Sequence, residues 1–167
     1  MHRRRRFLVS IASEEQFNRF SISAYDFQRA IDFATEGIKH PANTIIYEAL
    51  LFAAIMCYWR PFSPNERGDA AEAAKRITLD QLGINLAADE LRLHEGCKSL
   101  RNEALAHSAW ERNPTRLRDS GVVASRPFSL LTPPFDLPAL IRLAEKMRAA
   151  CEHRRADFVL GKRRGAV

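Results

Sequence analysis

Glycine is scarce in this chain, seven residues in 167, and none of them builds a phosphate-cradling loop, which excludes the P-loop and dinucleotide-binding patterns. Cysteine is scarcer. Cys57, Cys97 and Cys151 are odd in number, widely spaced and set among apolar neighbours, which fits neither a disulfide framework nor a zinc pattern. They read as reduced core thiols of a cytoplasmic protein. No Cys or His pair stands at ligand spacing, and Asp89, Glu90 and Glu95 read as the solvated side of a helix, so no metal and no cofactor are expected. No Ser or Cys has a convincing base partner for nucleophilic catalysis. No apolar run reaches the roughly 20 residues that span a bilayer, so no membrane partner is expected. The start, Met1 to Val9 with Arg3–Arg6, has the look of a twin-arginine signal, but its apolar run stops at Ala12, short of an export h-region.

What is present is a soluble balance, 46% hydrophobic and 28% charged, in a length suited to one domain. The net charge of +6 sits at the ends. Arg3–Arg6 supply four positive charges; Arg154, Arg155, Lys162, Arg163 and Arg164 supply five against Asp157, while Phe7 to Glu152 holds 17 basic and 19 acidic residues. Such arms either grip nucleic-acid phosphates or are solvated tails.

The periodicity is helical nearly throughout. Ser23 is expected to cap a helix to about Lys39, with Phe27, Ala30, Ile31, Ala34 and Ile38 inward and Asp26, Arg29, Asp32 and Glu36 outward. Asn43 is expected to cap an apolar helix, Thr44 to Trp59, whose lone charge is Glu48; it reads as the central helix of a bundle or as a dimer face. Pro61 ends it. A short helix over Ala70 to Arg76, a turn or helix at Thr78 to Asn85, and a long helix from about Leu86 to His107 follow. Trp110 to Leu131 reads as irregular loop or a short hairpin using Val122, Val123, Phe128, Leu130 and Leu131. Asp136 and Pro138 open a last helix to about Phe158. The expectation is an all-α bundle of four to five helices, with residues 1–22 as a basic arm and lead-in, 23–158 as the domain and 159–167 as a basic tail.

One stretch carries polar residues suited to chemistry. Leu100 to Ser108 places Arg101, Asn102 and His107 near the end of a helix. An arginine can neutralise a phosphate through a planar fork of donors, and a histidine can move a proton near neutral pH, which together suffice to cleave RNA without a metal. On an unbroken α-helix Arg101 and His107 lie roughly 240° apart, so a shared site needs the helix to fray or a second subunit to complete it. His94, seven residues before Arg101, falls nearly on the same face.

Arg101-Asn102, four residues and then Ala106-His107-Ser108 resembles the signature of the HEPN superfamily, most nearly its abortive-infection HEPN-like proteins. Tyr58-Trp59-Arg60-Pro61-Phe62-Ser63 is similar to a Tyr-x-Arg-Pro-Phe segment that precedes the motif in such proteins. The resemblance covers about residues 24 to 110. It implies a HEPN-like bundle, a homodimer with a composite site, and a metal-independent endoribonuclease, in some members a toxin with an antitoxin or a defence effector. Carried over, Arg101 would hold the scissile phosphate, His107 would act as general acid or base, and Asn102 would orient one of them. Arg60 and His94 join as candidate substrate contacts. Glu103 departs from the pattern, standing where many relatives carry Lys or another neutral or basic residue.

Plainer readings stand beside these. Arg101 could make a buried salt bridge to Glu48, His107 could be a helix-terminal histidine favoured by the dipole, His94 a packing residue and Arg60 a C-terminal helix charge. The alternative to a ribonuclease is a catalytically silent helical dimer that binds RNA or a partner protein.

Overall fold

A computed structural model describes residues 11–64, 75–105, 115–117, 123–125 and 135–164. They form an all-α bundle. Helix α1 (Ile11–Gly37) lies between α2 (Ile45–Trp59) on one side and α5 (Leu137–Arg164) on the other, while α3 (Leu79–Leu82) and α4 (Ala88–Ser99) close the remaining side against α5 and α2. Between α4 and α5 the strands Thr115–Leu117 and Val123–Ser125 pair antiparallel, with Arg116 opposite Ala124. Of the residues expected in a hairpin there, Val123 lies in this pair; Val122, Phe128, Leu130 and Leu131 lie outside the described residues, as does most of the helix expected over Ala70 to Arg76.

The core follows from helical periodicity. Phe27, Ala30 and Ala34 of α1 meet Leu51, Ile55 and Tyr58 of α2 and Leu140, Leu143 and Met147 of α5. Small residues on α1 let neighbours come close on both flanks: a Cβ added at Gly37 would stand 3.1 Å from Leu137 Cδ1. Thr44, one residue after the expected Asn43, caps α2 by accepting from the Tyr47 amide at 3.2 Å, and Asp136 caps α5 by accepting from the Ala139 amide at 2.9 Å. Thr78 and Gln81 form a capping box on α3, which Gly83 ends in the left-handed conformation at φ 69°. Glu90 accepts from the Ala87 amide at 2.8 Å and from Lys146 at 2.7 Å, tying the start of α4 to α5.

Three expectations are corrected. Helix α1 begins twelve residues before Ser23, because Phe17 and Phe20 pack on Phe158 of α5 at 6.2 Å between centroids and so hold the lead-in helical. Ser21 bonds back to the Phe17 carbonyl at 2.9 Å, and Ser23 is buried inside the helix, not at its start. Helix α5 likewise runs past Phe158 to Arg164. The central helix is α1; α2 lies to its side, which leaves a stripe of α2 in solvent. Ile45 is 82% exposed, and Ile46 and Phe52 are exposed with it. The stretch Ile45–Phe62 is by length and composition apolar enough to cross a membrane, and half of it is buried inside the bundle.

Candidate functional site

Helix α4 keeps regular α geometry only through Ser99. Over Leu100–Leu105 the backbone widens to a π-helix, with hydrogen bonds closing one residue further along. Arg101 and Asn102 lie inside this segment, which packs against α2. Both side chains are half-buried, and the guanidinium Nη1 of Arg101 donates to Asn102 Oδ1 at 2.9 Å. The two neighbours of the motif are thus joined to each other, and the bond found for Arg101 runs to this amide instead of to Glu48. Because a π turn holds more residues than an α turn, the 240° separation counted from Arg101 does not carry through the segment. His107 lies outside the described residues.

Beneath Arg101 the helix is anchored in an aromatic nest. His94 is 5% exposed, shares a 2.9 Å hydrogen bond between its Nδ1 and the Tyr58 hydroxyl, and packs against Trp59 and Phe62 at 4.7 and 4.8 Å between centroids. Burial holds its pKa below the ordinary histidine value and pushes the Tyr58 phenol well above its own. The imidazole is therefore neutral at physiological pH. Its place is in the core, as in the packing reading of this residue, where His94 fixes α4 on α2. Cys97, one turn on, is fully buried and its thiol is pushed far up by burial.

A second polar pair joins α1 to the end of α2. Arg60 Nη1 donates to Asp26 Oδ1 at 2.9 Å and Nη2 to Cys57 Sγ at 3.6 Å. Asp26 is 2% exposed, whereas 54% of the Arg60 side chain reaches solvent. Burial raises the Asp26 pKa, and the nearby Arg60 and Arg19 charges lower it by less. Sequence reading set Asp26 on the outer face of α1. The structure buries it because α1 has helices on both flanks, and Asp26 stands at the edge of the wide inner arc. The signal that could have found it is Arg60 itself, a cation closing an otherwise apolar helix. Arg60 is also the C-cap position of α2, where its backbone amide donates to the Met56 carbonyl.

The motif residues Arg101 and Asn102 are bonded to each other, while His94 and Arg60 stand in separate arrangements of their own. Among the described residues no group of His, Cys, Asp and Glu could hold a metal ion. An open apolar depression of about 430 Å³ lies far along the bundle, lined by Phe17, Glu152, Arg155 and Val159, and holds none of these residues. Family models, curated proteins and solved structures were compared with the chain, and none matches it.

Proposed function

We propose that the chain is a HEPN-type, metal-independent endoribonuclease, a toxin or defence effector, acting as a homodimer in the cytoplasm. The observation that carries the reading is the π segment at Arg101 and Asn102. Such widened turns are rare, are less stable than α geometry and concentrate at functional sites, and this one falls on the residues that resemble the family's motif. In this reading Arg101 grips the scissile phosphate while Asn102 fixes its guanidinium. His107 moves a proton as the 2′-OH attacks phosphorus and the 5′ oxygen leaves, giving a 2′,3′-cyclic phosphate and a 5′-hydroxyl. The exposed Ile45, Ile46 and Phe52 of α2 supply the subunit contact, since α2 packs on the π segment and carries more apolar surface than one bundle buries.

Cleavage of RNA in EDTA, leaving a cyclic phosphate, tests the reading. His107→Ala should abolish it with the fold intact, and Arg101→Lys should restore little over Arg101→Ala, because a point charge cannot reproduce a forked grip. Light scattering should report a dimer that Phe52→Asp dissociates. A second reading, a silent RNA- or protein-binding dimer, is favoured by the half-burial of Arg101 and the acid at Glu103. It predicts no cleavage by wild type and a lower melting temperature in Arg101→Ala.

A further inference from the structure

We propose that the flank of α1 bearing Tyr25, Arg29 and Phe33, together with Arg60, is a stacking platform for single-stranded nucleic acid. The proposal rests on the nucleic-acid reading above for its ligand class but not on cleavage. Positions 25, 29 and 33 fall on successive turns of one helical face, about 12 Å from end to end. Tyr25 is 65% exposed, an unusual cost for a ring of that size unless something covers it. Arg29 lies over the Phe33 ring at 4.5 Å, so its guanidinium is held against one aromatic while its side chain, over two-fifths exposed, remains within reach of a base. Its ion pair with Asp32, at 3.7 Å with both side chains over two-fifths exposed, is weak enough to yield to a phosphate.

Arg60 supplies the anchor beside this face. Asp26, next to Tyr25 in sequence, and Cys57 hold two of its nitrogens from within, while more than half of the side chain stays in solvent. With most of its side chain in solvent, this guanidinium adds a positive charge that draws phosphates toward the face. Charge selects the ligand. Arg29 and Arg60, both reaching solvent, act electrostatically on Cys57, so two accessible cations stand where the one neighbouring carboxylate of Asp26 is buried. Alternating aromatic and basic groups are what bases and phosphates need in a single strand, where every base offers a ring face and every linkage a charge.

The test is fluorescence anisotropy with two labelled oligomers that 2′-OH attack cannot cleave, one of deoxythymidine and one of 2′-O-methyl uridine. Wild type should bind both, and tighter binding of the uridine strand would mark RNA as the ligand. Tyr25→Ala should weaken binding about fivefold or more, the low end for one stacked base, with the salt dependence unchanged, and Tyr25→Phe should restore it. Arg29→Ala should weaken binding and lower the slope of log affinity against log salt by about 0.7. Arg60→Ala combined with Asp26→Asn, which leaves no buried charge unpaired, should lower it by a similar amount with a cooperative melt retained. Absence of wild-type binding, or wild-type affinity and slope in all of these variants, overturns the platform. So does a change of mass in light scattering for Tyr25→Ala, which would make the flank a contact between copies. Loss of RNA cleavage in an otherwise binding protein strikes only the ribonuclease.

Discussion

Replacing Tyr58 by Phe deletes one oxygen from the most enclosed polar contact described and leaves the ring to pack on Phe27 and Phe62 at 5.8 and 6.0 Å. His94 Nδ1 then has no hydroxyl partner in a site that is 5% exposed. An orphaned buried polar group costs about 1–3 kcal/mol, which in a domain of this size is roughly 2–12 °C in melting temperature. His94 also ties stability to pH. Its folded pKa is depressed by burial, so the unfolded chain binds the extra proton between that folded value and the ordinary histidine value of about 6.5. The contribution is complete above about pH 6.5 and falls as pH drops from there to the folded value, at no more than about 1.4 kcal/mol per pH unit. Urea unfolding of wild type and His94→Gln between pH 8 and about pH 5 isolates this residue, because every other titrating group is common to both. A Tyr58→Phe protein as stable as wild type at pH 8, or a His94→Gln protein with the wild-type pH dependence, would refute the account.

Arg60→Ala should cost about 1–3 kcal/mol in chemical unfolding, below the 3–5 of a fully buried pair because water already reaches most of the Arg60 side chain, and Asp26→Asn in the same chain should recover part of it. The buried thiols should be inert: burial pushes the Cys151 pKa up to about 12 and that of Cys97 higher, so a thiol reagent at pH 8 should modify neither until the chain is unfolded. Fast labelling of either in the folded protein would show that α4 or α5 opens.

Helices that bury one face were legible because a 3.6-residue period and a cap are local signals. Asp136 opening α5 and the apolar run of α2 needed nothing beyond their neighbours in sequence. What was not legible depended on contacts made at a distance. Helix α1 could not be extended back from Ser23 without knowing that Phe17 and Phe20 would find Phe158 on the last helix of the chain, and the Ser13-Glu14-Glu15 stretch reads equally as lead-in or first turn. Asp26 shows the same limit. One helical face cannot be scored polar or apolar when helices pack on both sides of it.

The site divides along the same line. The residue types of Arg101 and Asn102 were readable, since a guanidinium beside an amide is a chemical statement at any geometry. Their conformation was not, because a wheel drawn at 100° per residue assumes the α turn that ends at Ser99. That ending follows directly on the turn by which α4 is fixed to the core. His94 and Cys97 hold α4 rigidly against α2 through the Tyr58 bond and close packing, and Leu100, the next residue on that inner side, is only half-buried against the same core. The π segment begins directly after this anchored turn, and within it Arg101 and Asn102 bond to each other while the nest below stays packed. The dependence runs from the nest to the motif. A change at Tyr58 or His94 should therefore disturb the Arg101–Asn102 bond, whereas Asn102→Ala should leave the His94 titration of stability untouched.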